Sequence, residues 1–247
     1  METAVPLTEE QQAVVAHEAP RLLVAGRAGT GKTTALTERY LHLAARRPGA
    51  ATVVLCATGA AAASFLDAVL PRLSGGLGGV PATTVWGLAA DLLARHGRPV
   101  ALLGAAEQRE EVGRLLAGDG PARWPSAPHL LGRSAFVDEV ASALLDLQAS
   151  FLADDEVLAR AEAAGQDSRW ADLLRFAARY RSALGERGAV DSAGLLVAAC
   201  RLLELPEVAA AEAGRIGAVL VDDGEASHPA TGRLVAALAR LGADVTV

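Results

Sequence analysis

Apolar and polar positions divide the chain into strand-like and helix-like segments. Five short apolar runs, most of them bounded by Gly or Asp, have the length of a strand and show little polar alternation. Such runs are typical of parallel strands that are covered on both faces of a sheet. The predicted strands are residues 21–26, 52–57, 83–86, 217–223 and 243–247.

Segments with helical spacing lie between these runs. They occupy residues 32–45, 61–73, 87–95 and 229–241, so that strands and helices alternate. This alternation predicts an α/β fold in which helices flank a parallel, doubly wound sheet.

The alternation stops in the middle of the chain, where helical patterns follow one another and no segment is a convincing strand. We therefore predict an all-helical insertion at 97–213, within a core domain that is formed by 1–96 and 214–247. The clearest helical patterns span 107–116, 134–151, 168–187 and 191–203.

One of those patterns, 168–187, combines an apolar face with positive charge. A solvated helix face explains this charge, and a face that contacts DNA is the alternative. The arginines concerned are Arg169, Arg175, Arg179 and Arg187.

Composition and charge narrow the class of protein. Hydrophobic residues make up 51% of the chain but aromatic ones only 4%, which favours Ala-, Leu- and Val-rich helices and buried strands. The net charge of −6 provides no general attraction to nucleic acid, so any DNA contact must be local.

Cys56 and Cys200 lie in apolar runs and are expected to be reduced and buried. No apolar run reaches about 18 residues, so we expect a cytoplasmic protein without a membrane partner.

A phosphate-binding motif follows the first predicted strand. Residues 26–33 read GRAGTGKT and match G-x-x-x-x-G-K-[ST], with a strand before the loop and a helix after it. In this chemistry Lys32 reaches the β and γ phosphates, and the Thr33 hydroxyl holds Mg²⁺. Lys32 is also the one lysine of the chain, and a compact ammonium suits a position between phosphates. The predicted nucleotide-binding residues here are Gly26, Arg27, Ala28, Gly29, Thr30, Gly31, Lys32, Thr33 and Thr34.

An apolar strand that ends in acid supplies the second half of a nucleotide site. Residues 218–223 read AVLVDD. We expect Asp222 to hold Mg²⁺, and Asp223 to orient or deprotonate the attacking water. Glu225 follows two residues later and completes the predicted catalytic set.

Beyond these two motifs, the chain resembles the UvrD/Rep-like superfamily 1 DNA helicases in order along nearly its whole length. Residues 7–11, LTEEQ, resemble the Q motif of that family, which implies that Gln11 recognises the adenine edge. Arg39 matches a basic position close to the nucleotide. Residues 83–89 resemble the segment that lies along single-stranded DNA, and 190–196 resemble the helix that leads into the acidic strand.

The resemblance implies a P-loop NTPase (RecA-like) core, called 1A, with the insertion as its arm, called 1B. The arm, especially residues 86–98 and 133–151, is most similar in style to actinobacterial RecB-like or AdnB-like helicases. The implied activity is ATP hydrolysis, with Mg²⁺, coupled to 3′ to 5′ movement in DNA repair or recombination. The implied partners are single-stranded or tailed duplex DNA, a second RecA-like motor domain, and a helicase–nuclease partner subunit as a further alternative. Thr58, Thr84 and Trp86 are the candidate DNA contacts.

Several positions depart from the family pattern. Asp223 stands where a longer glutamate is usual, and Glu225 stands where a neutral glutamine is usual, so we expect slow hydrolysis. Trp86 replaces a histidine and either stacks on a base or packs into the core. The sequence stops at Val247, before the motifs of the second motor domain, so we do not expect this chain alone to be a complete motor.

Two other functions remain open. A degenerate helicase domain that binds ATP or DNA with little hydrolysis is favoured by Asp223 and Glu225. A small-molecule P-loop kinase shares the phosphate loop, but it leaves Gln11 and residues 83–89 without a role.

Overall fold

The computed structural model describes residues 6–47, 50–73, 80–224 and 229–247. The chain divides into two compact units, one formed by residues 1–88 with 200–247 and the other by residues 89–199. Both divisions fall inside a helix, whereas the sequence placed the borders after residues 96 and 213. The assignment of these units to a 1A core and a 1B arm stays a prediction.

A five-stranded parallel sheet forms the centre of the first unit, with the strand order β1-β7-β6-β2-β3. Every residue of β2 and β6 is buried, as expected for apolar strands that are covered on both faces. The strands are β1 Arg21–Leu22, β2 Ala51–Leu55, β3 Ala82–Thr83, β6 Ile216–Val221 and β7 Asp244–Thr246.

Helices pack against this sheet and confirm the predicted α/β class. The core includes Tyr40 and Phe65, whose rings meet edge to face with centroids 5.3 Å apart. The helices that lie in this unit or start or end in it are α1 Glu9–Ala16, α2 Lys32–Arg46, α3 Gly59–Val69, α4 Val85–Arg95, α9 Ser192–Leu203, α10 Pro206–Glu212 and α11 Pro229–Arg240.

Two of the predicted strands are reduced to two residues each. In the run 21–26, only Arg21 and Leu22 form a strand, although Val24 N still donates to Val247 O at 2.7 Å before the phosphate loop begins. In the run 83–86, helix α4 already begins at Val85. The side-chain oxygen of Thr84 accepts a hydrogen bond from the Gly87 amide at 3.1 Å, which is the capping contact that starts a helix rather than continuing a strand.

The second unit is built from helices around an aromatic core. The Trp124 ring lies 5.1 Å from that of Phe136 and 5.5 Å from that of Phe176, and all three side chains are buried. Its complete helices are α5 Ala105–Ala117, α6 Ser134–Ser150, α7 Asp154–Ala163 and α8 Asp167–Glu186.

The insertion is not entirely helical, which corrects the sequence prediction. Two strands, β4 Ala101–Leu102 and β5 Ala189–Val190, pair in parallel as a separate two-stranded sheet. Each has only two residues, and periodicity cannot detect so short a strand.

Most of the predicted basic face of α8 is engaged in ion pairs with buried carboxylates. Arg179 donates both of its Nη atoms to Asp119, at 2.7 and 2.6 Å, and Arg175 pairs with Asp172. Arg187, just after the helix, lies 3.1 Å from Glu111. These contacts favour the structural explanation of the positive charge over a DNA-contacting face.

Among the described residues, no helix is both long and apolar enough to cross a membrane.

The central strand β6 supplies a direct test of the core. Leu220 is 0% exposed, so we expect Leu220→Ala to lower the free energy of unfolding by about 2–5 kcal/mol, through lost burial and an unfilled cavity. Urea denaturation followed by circular dichroism measures this change. Leu70→Ala is the matched control, because Leu70 is 46% exposed, and we expect it to lose less than about 1 kcal/mol. Equal losses in the two variants would contradict the assigned register of β6.

Candidate nucleotide-binding site

The phosphate loop joins β1 to α2 and depends on two glycines with left-handed backbone conformations. Gly29 has φ = +78° and Gly31 has φ = +79°, values that other L-residues adopt only with strain. Gly31 is also the N-cap of α2, and it provides no side chain to cap the helix. The first backbone bond of the helix runs from Ala35 N to Gly31 O at 3.0 Å. The amides of residues 32–34 therefore have no acceptor within the helix, as an anion-binding helix terminus requires.

Side chains bind several backbone carbonyls of this loop. Lys32 Nζ donates to Gly26 O at 2.7 Å, and Thr30 Oγ1 donates to Arg27 O at 2.9 Å. Gln11 Nε2, from α1, lies 3.4 Å from both Thr30 O and Gly31 O. Because side chains bind its carbonyls, the loop keeps a defined shape, and the Lys32 ammonium lies at the loop itself.

The acidic strand brings a carboxylate to the start of α2. Thr33 Oγ1 donates to Asp222 Oδ1 at 3.4 Å, although the two residues are far apart in sequence. Burial raises the pKa of Asp222, and the charge of Asp223 raises it further, while the hydrogen bond from Thr33 acts in the opposite direction. A hydroxyl and a carboxylate oxygen are ligands that Mg²⁺ prefers, so this pair fits the metal of a nucleotide complex.

Asp223 occupies a turn that begins directly after β6. Its φ of +54° is left-handed, a conformation that aspartate and asparagine tolerate better than other residues with a side chain. The residue is exposed, in contrast to the buried strand before it. Glu225, the other predicted catalytic acid, lies outside the described residues.

A cavity of about 330 Å³ opens at this edge of the sheet. Lys32 lines one part of it, and Asp222, Asp223 and Gly224 line another. Its size is at the lower end of the range for small-molecule sites. The structure therefore brings the predicted phosphate-binding lysine and the predicted metal-binding acid to one cavity.

The two other predicted nucleotide contacts occupy different environments. Gln11 is half-buried, and its side-chain oxygen accepts the Thr8 amide at 3.0 Å. The pattern Thr8-x-x-Gln11 is a capping box, a signal for the start of α1 that the sequence analysis did not use. Arg39 is 1% exposed and bound by acceptors within the protein.

Two of the three candidate DNA contacts lie at helix starts. Thr58 Oγ1 accepts the Ala61 amide at 3.1 Å and so caps α3, as Thr84 does at the start of α4. Trp86 is half-buried, and its indole nitrogen is buried without an acceptor among the described residues. Each threonine keeps its own O–H proton for another acceptor.

Comparison with known families matches nearly the whole chain. The family model described as the UvrD/REP helicase N-terminal domain matches residues 7–247. Comparison with curated proteins gave no match.

The raised pKa of Asp222 predicts a stability change at neutral pH. Folding favours the protonated form of this carboxyl, so its charged form opposes folding at pH 7 and ceases to do so as the pH falls below about 4. We expect Asp222→Asn to unfold at a higher temperature than the wild type at pH 7 without Mg²⁺ or nucleotide. The difference should narrow toward acidic pH.

Scanning calorimetry from pH 4 to 7 measures this effect. Asp67→Asn, which changes an exposed carboxylate in α3, serves as the control and should stay within about 0.5 kcal/mol of the wild type. An Asp222→Asn protein that is less stable than the wild type at pH 7 would show that the charged carboxylate is stabilised by the fold.

Proposed function

The chain belongs to the UvrD/REP helicase N-terminal domain family, the ATP-dependent motor half of DNA helicases, and we propose that it couples ATP hydrolysis to movement along single-stranded DNA. The observation that carries this proposal is the pairing of Thr33 with Asp222 beside Lys32, at one cavity. The same proposal includes movement in the 3′ to 5′ direction and a role in DNA repair or recombination. It also includes the similarity of the arm to RecB-like or AdnB-like helicases.

The residues of the site divide the work of nucleotide binding. The free amides at the start of α2 bind phosphate oxygens, and Lys32 exchanges its loop carbonyls for the β and γ phosphates. Thr33 and Asp222 hold Mg²⁺, which when bound neutralises charge on the phosphates. Asp223 lines the same cavity as Lys32 and Asp222, and it orients the attacking water.

Contacts with DNA arise locally, because the net charge of −6 disfavours general attraction. Thr58 caps α3 with its side-chain oxygen, and its hydroxyl proton is donated to a phosphate of the DNA strand. Thr84 does the same at the start of α4, and Trp86 packs beside it as a partly exposed aromatic surface. A second motor domain, in a longer protein or a partner, supplies the remaining contacts.

Hydrolysis in this site is slow. The carboxylate of Asp223 is one methylene shorter than the glutamate that the family uses, so it holds the water less closely. A degenerate module that binds ATP without turnover is the second candidate, and the same residue favours it.

Removal of the one lysine tests nucleotide binding. We expect Lys32→Ala to weaken binding of MgATP by about 10- to 100-fold, the value of a charge-assisted hydrogen bond. Isothermal titration calorimetry measures the affinity. Arg46→Ala is the control, because it removes an exposed cation from the far end of the same helix, and its affinity should equal that of the wild type. Unchanged binding in Lys32→Ala would refute the site.

Restoring the residues that the family usually has at positions 223 and 225 tests ATP turnover. The double variant Asp223→Glu, Glu225→Gln should hydrolyse ATP about tenfold faster than the wild type when the chain is joined to a second motor domain and given single-stranded DNA. The gain is limited because glutamate at a φ of +54° costs about 1 kcal/mol of backbone strain. Release of phosphate is the measurement. No gain over the wild type supports the degenerate module, and phosphorylation of a small molecule without DNA would indicate a kinase.

A further inference from the structure

Among the described residues, Arg39 in α2 is the largest side chain that is fully buried, with 1% of its surface exposed. Its Nη1 atom donates to the carbonyls of Val14 at 2.8 Å and His17 at 2.9 Å, with Val15 O at 3.3 Å. Its Nε atom donates to Thr246 Oγ1, in strand β7, at 2.8 Å. One guanidinium therefore joins α1, α2 and the central sheet.

The carbonyls that Arg39 binds are those at the end of α1. The last carbonyls of a helix have no partner within it, and a cation near them also compensates the helix dipole. Helix α1 has no basic residue of its own in its last turn. Arg39 supplies from α2 the cation that the last turn of α1 lacks.

Helix α1 is short and packs against α2. It spans only eight residues and has no buried side chain. Isolated helices of this length are unstable in water, so its position depends on contacts with the rest of the protein. Arg39 provides those contacts at the C-terminal end.

The other end of α1 carries Gln11, whose amide faces the phosphate loop. Its Nε2 atom lies 3.4 Å from both Thr30 O and Gly31 O. A Cβ on Gly31 would lie only 2.4 Å from that nitrogen, which shows how closely the amide approaches the loop. A small shift of α1 therefore moves the Gln11 amide relative to a nucleotide on the loop.

Resting on the proposed nucleotide-binding function, we propose that Arg39 is a positioning residue for base recognition. It fixes α1 so that the Gln11 amide reaches the adenine edge of a bound nucleotide, and it does not contact the nucleotide itself. Burial places the guanidinium away from solvent, and both Nε and Nη1 are already bonded within the protein.

The geometry requires arginine rather than a generic cation. The planar fork of a guanidinium reaches the end of α1 with one nitrogen and Thr246 with another. A lysine ammonium is a single point and cannot span both. Arg39→Lys thus keeps the charge and removes the bridge.

The experiment compares the affinities of MgATP and MgGTP in the 247-residue chain by calorimetry. The proteins are the wild type, Arg39→Lys, Gln11→Ala, the double variant of both, and Arg21→Lys as a matched control. Arg21 also binds carbonyls near the end of a helix, those of Ala239 and Ala243, but its side chain contacts no part of α1 among the described residues. Its replacement should keep the wild-type preference for ATP.

We expect Arg39→Lys to reduce the preference for ATP over GTP by about two- to tenfold, the value of one hydrogen bond, with GTP affinity within about twofold of the wild type. In Gln11→Ala the preference is already lost, so the added Arg39→Lys should change it no further. A further loss in the double variant would show a direct contact with the base and overturn the proposal. A preference that Arg39→Lys leaves intact would overturn it as well.

A wild type that binds both nucleotides equally would overturn the proposal and leave nucleotide binding standing. A wild type that binds neither would overturn both. Hydrogen exchange should be faster in α1 of Arg39→Lys and unchanged in α11. Thr246→Val is the alternative variant if Arg39→Lys does not fold, because it removes only the acceptor of Arg39 Nε. It should lower the preference for ATP over GTP and speed hydrogen exchange in α1, as Arg39→Lys does. No change in either measurement would refute the proposal.

Discussion

The buried parallel ladder between β2 and β6 determines where the acid of the candidate site lies. Val54 pairs with Leu220 and Leu55 with Val221, and the ladder ends where the Asp222 amide donates to Leu55 O at 2.9 Å. A shift of one residue would turn every side chain of β6 to the opposite face and leave buried backbone groups without partners. The carboxylate of Asp222 is thereby held at the start of α2, where Thr33 meets it.

How much of this could be predicted from sequence depends on how local each signal is. The runs that became β2 and β6 were visible because unbroken apolarity is the direct consequence of burial on both faces. The phosphate loop was visible because Gly29 and Gly31 are needed for their backbone conformations, a local requirement. The pairing of β4 with β5, and of Asp119 with Arg179, joins segments that are remote in sequence, and no periodicity reports such contacts. The contacts of Arg39 could not be predicted for the same reason, since its acceptors lie on α1 and β7, which are remote from it in sequence.

The different uses of arginine and lysine in this chain follow from their shapes. Arg21, Arg39 and Arg47 each bind main-chain carbonyls together with a second acceptor, as when Arg47 donates to Gly217 O at 2.6 Å and to Asp244 at 2.5 Å. A planar fork suits these bridges between elements, because its donors point in fixed directions. Lys32 instead makes its short contact with Gly26 O through a single mobile ammonium. Such a group can leave its carbonyl and move to a phosphate without disrupting a bridge.

The two neighbouring carboxylates at the end of β6 form an electrostatically unfavourable arrangement. Asp222 and Asp223 are adjacent, and the repulsion between them adds to the burial that raises the pKa of Asp222. Lys32 is occupied by carbonyls of its own loop, so part of its binding energy is already used before a nucleotide arrives. In the proposed function, a cation between Thr33 and Asp222 would remove the first penalty, and phosphate oxygens would replace the carbonyls for Lys32. If metal and nucleotide bind the folded state as proposed, they also stabilise it, and the metal adds to this effect by offsetting the repulsion at the end of β6.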